Sequence, residues 1–590
     1  MADMLFKRVD YKLENLMMDI ETGKLGLPEL QRPFVWSTAK VRDLFDSMMK
    51  GYPIGFLLLW DSPSDPKKSI QIGETTHTFD SPKYLIIDGQ QRLTSLYAVM
   101  RGVEILDRKF QKHPIAISYN PLTNEFKVAD NATKRSYEWI HNISDTFKNK
   151  NNGFTYINSF ITNLEAARVK SEATLSDKEK QIISNNITSV MQLAYYIIPA
   201  LEINEEADEE SIADIFVRVN SGGEKLNEND FILTLISVYW QEGRQKIERF
   251  CYDATIPAKN TSYNHLFEPK PSHIIRTTMS FGFKRARLKY AYMLLRGRDF
   301  EKGKYSDNLR IQKFEELKPV IDKVLNLQNW HDFIKCLESA GYISSKLISS
   351  DNTLTYVYAM YLIGKYDFKI KEIALRKLIA KWFFMCSVSG YYTNSPESRM
   401  EQDLADLRAI HDEAEFTDYI QNQINAVFTN DYFTITLTGN NGLASSSANS
   451  PAWYGYCAAL NILDAKGLFS NLHTRELFSF PSSGIKSALE KHHLFPKAYL
   501  ESIGITDDRE RNQIANFAFI EWIDNIKISD DNPSIYFPKR MENISAEEKD
   551  QMYFVHALPQ NWGTKDYDDF LVERRKLMAH VIKKGYEKIC

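Results

Sequence analysis

The chain is poor in cysteine. Five occur in 590 residues, at Cys251, Cys336, Cys386, Cys457 and Cys590, and no two form a C-x-x-C pair. An odd number without that spacing excludes a disulfide scaffold and a zinc ribbon, and fits reduced, buried thiols. An excess of positive charge is missing too. Seventy-three basic side chains stand against 77 acidic ones, a net charge of -4. A protein that coats nucleic acid without specificity carries the opposite sign. Any contact with phosphate must therefore come from a local basic patch. Long hydrophobic runs are absent as well. Apolar stretches such as Ile54–Trp60 fall far short of the ~20 residues that a membrane span needs. The N-terminus lacks the apolar segment behind a basic start that marks a secretory signal. These absences predict a cytoplasmic protein with no membrane partner. The glycine-rich loop G-x-x-x-x-G-K-[ST] is also not found, which removes one common phosphate cradle.

What is present is an ordinary folded-protein composition, 43% hydrophobic and 25% charged. The length predicts several compact units at ~100–200 residues each. Three regions differ in texture. Residues 1–240 mix short strands with helices. Ile54–Trp60, Lys83–Asp88 and Tyr195–Ile203 are apolar runs of strand length. Val41, Leu44, Phe45, Met48 and Met49 fall at helical spacing and are closed by Gly51 and Pro53. Leu93, Leu96, Tyr97 and Met100 repeat that spacing. Residues 241–438 read as mainly helical, with apolar helices over Leu354–Ile363 and Ile373–Phe384, and carry no recognisable chemistry. A small-polar stretch, Gly439–Ser450, is the best linker candidate. Residues 451–590 form the third region.

Three N-terminal segments carry a signal. The first is Gln31-Arg32-Pro33-Phe34-Val35-Trp36, just before a helix. The second is Asp88-Gly89-Gln90-Gln91-Arg92, where the apolar strand Tyr84–Asp88 meets a helix. Gly89 allows a tight turn. The free N–H groups of the helix start suit an anion, and Arg92 adds a planar fork for phosphate. Gln90 and Gln91 carry donors and acceptors for a water, a ribose or a base. The third segment is Phe216-Val217-Arg218-Val219-Asn220-Ser221-Gly222-Gly223, followed by Leu226 and Asp230. Taken singly, each is also what a helix cap or a turn looks like.

The C-terminal region holds Glu490-Lys491-His492-His493-Leu494-Phe495-Pro496-Lys497. Asn512-Gln513-Ile514-Ala515-Asn516-Phe517-Ala518-Phe519-Ile520 follows, then Asn525, Pro533 and Tyr536. Phosphodiester hydrolysis needs a base for water and a charge to stabilise the phosphate. A histidine near its ordinary pKa supplies the first and a divalent ion the second. A hairpin followed by a helix can present both. The layout assigns His493 as general base, Asn516 as the residue that holds the hairpin, and His492 and Asn525 as metal ligands. The roles of His492 and His493 are open to exchange. The final helix carries Arg574, Arg575, Lys576, Lys583 and Lys584, a run that is more often a solvated face than a phosphate contact.

In order, the Q-R-x-F-x-W, D-G-Q-Q-R and F-x-R-V-N-x-x-G segments resemble the N-terminal domain of the GmrSD-type restriction enzymes, over roughly residues 5–235. The H-H-L-F-P-K and N-x-I-A-N-x-A-x-I text resembles the HNH-like C-terminal domain of the same enzymes, from about 451 to 590. The resemblance implies an α/β plus α architecture. It comprises a ParB/sulfiredoxin-like α/β N-terminal domain, a mainly helical middle, and a ββα-metal (HNH-like) nuclease embedded in a helical C-terminal domain. It implies a nucleoside triphosphate, GTP or ATP, facing Asp88, Gly89, Gln90, Gln91 and Arg92, with Gln31, Arg32, Arg218 and Asn220 nearby. Mg2+ or Mn2+ would sit at the nuclease centre. The implied partner is phage DNA, modified at base or backbone, and a homo-oligomer stays open. Two other readings remain: a nucleotide-dependent DNA-sensing switch with an inactive nuclease, and a toxin-like nuclease acting on host nucleic acid. In one place the sequence departs from many HNH enzymes. His492 and Asn525 stand where Asp and His are usual.

Overall fold

The computed structural model describes residues 5–26, 36–61, 83–106, 112–169, 174–204, 215, 232–233, 236, 240–258, 260–297, 300, 307–447, 449–479, 489–521, 528 and 531–589. The chain divides into two compact units, Met1–Lys246 and Ile247–Cys590.

The first unit is built on a five-stranded mixed sheet. Its strands are β1 (Phe6–Lys12), β2 (Leu25–Gly26), β3 (Leu57–Asp61), β4 (Tyr84–Asp88) and β5 (Ile197–Ile203), in the spatial order β1-β5-β3-β4-β2. The three apolar runs of the sequence all become strands of this one sheet. β5 lies between β1, which it meets antiparallel, and β3, which it meets parallel. β3 and β4 are antiparallel, with a register shift between Leu58 and Leu59. Leu57–Trp60 and Tyr84–Ile87 are buried residue after residue. Strands covered on both faces read as continuous apolar runs, and these two occupy the middle of the sheet. Helices α1 (Leu13–Glu21), α2 (Thr38–Met49), α3 (Gln90–Arg101), α4 (Gly153–Val169) and α5 (Asp177–Gln192) supply the cover. α2 starts where Ser37 accepts the Lys40 N–H at 3.3 Å, and buries Val41, Leu44, Phe45 and Met48, as the spacing requires.

The second unit is mainly helical. Its centre is α6 (Pro271–Phe283), α7 (Leu327–Ser339), α8 (Asp351–Tyr366) and α9 (Glu372–Ser389). α8 is buried without a break from Thr353 to Gly364, and α9 almost so from Leu378 to Val388. A helix apolar on every side must be covered on every side. α8 is flanked by α6, α7 and α9, and α9 by α7, α8, α10 (Glu413–Val427) and α11 (Pro451–Ile462). α11 belongs to the C-terminal region, so the helical middle and that region share one unit.

The Gly439–Ser450 segment, expected as a linker, packs instead. Leu443 is fully buried, its N–H donates to the Leu437 carbonyl at 2.7 Å, and Ser445 accepts the Ile514 N–H at 2.8 Å. Small residues here permit a tight turn rather than freedom. An added Cβ on Gly442 would lie 2.2 Å from the Leu437 carbonyl oxygen.

A two-stranded antiparallel hairpin completes the unit. β6 (Leu489–His493) pairs with β7 (Phe517–Glu521), His492 opposite Ala518 and His493 opposite Phe517. The connection carries two short helices, α12 (Lys497–Ser502) and α13 (Asp508–Arg511). α14 (Pro533–Met541) and the long final helix α15 (Tyr567–Lys588) pack nearby in the same unit. Among the described residues, no helix is long and apolar enough to cross a membrane.

Candidate active site and nucleotide junction

The hairpin mouth is closed by one side chain. Asn516 is fully buried and immediately precedes β7. Its amide oxygen accepts the Phe495 N–H at 2.8 Å, and its amide nitrogen donates to the carbonyls of Phe495 at 3.0 Å and Arg511 at 3.2 Å. Its own carbonyl accepts the Leu494 N–H at 2.8 Å. Both ends of the long connection are thus tied to one amide, which satisfies buried backbone groups that the strands cannot reach.

His493 ends β6 at this mouth and is half-buried. Its Nε2 lies 3.0 Å from the Asn512 amide oxygen, and its ring meets Phe517 edge-on, 4.8 Å between centroids. With that oxygen as acceptor, the imidazole donates from Nε2 and keeps its lone pair on Nδ1. Burial, followed by the charges of Lys497 and Arg511, pushes the His493 pKa down, while the Asn512 contact opposes the shift. The shift favours the neutral ring, the form a general base requires.

His492, the next residue on the strand, is buried and meets the Tyr536 ring edge-on. Neighbours on a strand face opposite sides, and the two imidazoles have different partners. The Tyr536 hydroxyl donates to the Leu494 carbonyl at 2.8 Å and lies 3.4 Å from His492 Nε2. Among the described residues, no group of three His, Cys, Asp or Glu could by itself hold a metal ion. His492 is the candidate ligand that lies within the described residues, and Asn525 lies outside them.

Arg574 was grouped in the sequence with a surface basic run. It is instead fully buried on α15. Its guanidinium donates to the carbonyls of Ala515 at 2.5 Å, Phe517 at 2.7 Å and His556 at 3.2 Å. Two of these flank Asn516. No carboxylate pairs with Arg574 among the described residues, and burial pushes its pKa down to about 10. Arg575 reaches the same segment through Gln513 at 3.0 Å, and the Tyr567 hydroxyl donates to the Glu510 carbonyl at 2.9 Å. The signal was in the helix periodicity. Tyr567, Phe570, Leu571, Arg574, Met578, Val581 and Ile582 form the buried stripe, and Arg574 sits inside it. Asn512, the other residue without an assigned role, lies four positions before Asn516 in the N-x-I-A-N text.

In the first unit, Gly89 joins β4 to α3. It adopts a left-handed conformation (φ 91°), and an added Cβ would lie 2.5 Å from Leu57. Gly89, the N-cap residue of α3, supplies no side-chain cap. Gln90 was expected to face a ligand. It is buried, and its amide donates to the Ile86 carbonyl at 2.7 Å, so it joins helix to strand. Gln91 accepts the Trp36 N–H at 3.3 Å, which brings the first and second motifs together. Arg92 donates to the Phe56 carbonyl at 2.9 Å and lies against Gly55 and Gly89. Burial pushes its pKa down, and the Asp88 charge opposes this. Gln31, Arg32, Arg218 and Asn220 lie outside the described residues.

Residues 13–237 match the family described as GmrSD restriction endonuclease, N-terminal domain. The first unit thus carries the N-terminal domain of the GmrSD-type restriction endonucleases. A curated relative, an uncharacterized protein of Methanocaldococcus jannaschii, is 23% identical over 565 residues, which cover 90% of this chain and 87% of that one. Neither unit alone could fill that share of the chain, so the likeness runs through both.

Proposed function

We propose that this protein is a DNA restriction endonuclease of anti-phage defence, with its chemical centre at the β6–β7 hairpin and a nucleotide-binding regulatory site at the β4–α3 junction. The observation that carries the proposal is a half-buried histidine held by Asn512 at a hairpin locked by Asn516, in a chain whose first unit matches a restriction-endonuclease domain.

In this reading His493 takes a proton from the attacking water. Asn512 fixes the ring, so that the lone pair stays on the nitrogen facing away from it. Asn516 and Arg574 keep the hairpin mouth in place. His492, with Asn525, would hold Mg2+ or Mn2+, which supplies Lewis-acid stabilisation of the phosphate when bound. At the other site, the start of α3 and the Arg92 fork suit a nucleoside triphosphate. Asp88, Gly89 and Gln91 complete that contact, with Gln31, Arg32, Arg218 and Asn220 as further members.

A cleavage assay tests the proposal. Plain, hydroxymethylated, glucosylated and phosphorothioated DNA would be offered with Mg2+ or Mn2+, with and without GTP or ATP. Cutting of one class, stimulated by nucleotide, is the expected result. Nucleotide turnover with every DNA left intact would move the assignment to a DNA-sensing switch. Toxicity to the host without phage, relieved by His493→Ala, would move it to a toxin-like nuclease.

A further inference from the structure

Arg511 ends α13, one residue before the Asn512 that holds His493. Its side chain is only 16% exposed, yet the carboxylates that meet it are outside: Asp508 is 74% exposed and Glu501 65%. Asp508 takes one bond at 2.9 Å, and Glu501 stands at 3.6 Å. The buried Nε–H has no hydrogen-bond partner among the described residues. An interior guanidinium with five donors is thus held by one good contact to a solvent-facing acid. Ion pairs to solvent-facing acids contribute little. A phosphate diester, by contrast, takes a guanidinium through two parallel charge-assisted bonds.

The backbone that carries the fork is well held. The Arg511 carbonyl accepts from Asn516, and the Tyr567 hydroxyl pins the preceding carbonyl of Glu510. The same amide that closes the hairpin therefore sets where α13 ends. Lys497, at the first position of α12, is the second cation whose charge reaches His493.

We infer that Arg511 is the phosphodiester-binding subsite of the hairpin centre. Its guanidinium releases the exposed Asp508 and Glu501 carboxylates in exchange for a DNA phosphate. The inference rests on the nuclease reading for its biological meaning, but its test does not need cleavage.

Binding of a short DNA duplex to the full chain is measured by fluorescence anisotropy across a salt titration, in a His493→Ala background. Arg511→Gln is expected to weaken binding by about tenfold and to lower the salt slope by about one phosphate contact. Asp508→Asn removes the competing carboxylate and is expected to tighten binding by roughly threefold. Arg511→Lys, which keeps the charge and loses the fork, should fall between parent and Arg511→Gln. A purely structural ion pair predicts the same sign for Arg511→Gln and Asp508→Asn. Equal losses, or no change in either, would overturn the subsite. If opposite signs appear but the parent cuts no DNA, the nuclease reading fails and the subsite stands. If cutting depends on His493 but binding ignores Arg511, the subsite alone fails.

Discussion

The β4–α3 junction and the β6–β7 hairpin are built on the same plan and use their polar side chains differently. Each places a run of motif residues where a strand ends. At the junction most of the motif's side-chain bonds go to the protein itself: Gln90 to Ile86, Gln91 to Trp36, Arg92 to Phe56. At the hairpin the joining is delegated. Asn516 and Arg574 make the backbone contacts, and His493 is held through Nε2 by the side chain of Asn512. A motif residue that can be named from the sequence is therefore not always the one that meets a ligand. Here one motif glutamine and one guanidinium nitrogen of the arginine donate to backbone carbonyls, a second glutamine accepts a backbone N–H, and together they stiffen the strand–helix junction.

The comparison sharpens under mutation. Arg574→Met should have the largest effect on the fold. It strands three buried carbonyls and should cost about 3 kcal/mol in denaturant unfolding, with Arg574→Lys recovering part. A change that leaves stability untouched would remove the brace. Acid should act on the same unit. Burial pushes the His556 pKa down to about 3 from an ordinary 6.5. The unfolded chain binds that proton more readily. The associated stability is therefore complete above pH 6.5 and is lost progressively as pH falls toward 3, by about 2 kcal/mol at pH 5. His556→Gln should flatten that part of the stability–pH curve. In the first unit, Gly89→Ala should cost about 2 kcal/mol, because it meets both left-handed strain and Leu57. Its nucleotide affinity should fall with it. The smallest effect is expected from Gln91→Leu, about 1 kcal/mol, read as faster exchange of the Trp36 amide with little change in global stability.

The local plan of the first unit was legible because its signals are local. A glycine between an apolar strand and an apolar helix announces the turn, and Val41, Leu44, Phe45 and Met48 at helical spacing announce α2. The order of the sheet was not legible. β5 inserts between β1 and β3 from more than a hundred residues away, and nothing in its own residues names those neighbours. In the second unit, His493 and Asn516 stood out by type and spacing. Arg574 did not, because a basic residue beside two others looks like surface until its place in the apolar stripe is counted. Gly439–Ser450 misled for the opposite reason. Its small polar composition reads as freedom, while one buried leucine and the backbone bonds around it hold it down.

In the proposed function, bond breaking belongs to the hairpin and nucleotide handling to the junction. DNA cleavage and nucleotide turnover, measured side by side in the parent and in His493→Ala, test it most directly. The account predicts that cleavage falls by at least ~100-fold in the variant while turnover is unchanged. Cleavage that persists at the parental rate in His493→Ala would contradict it.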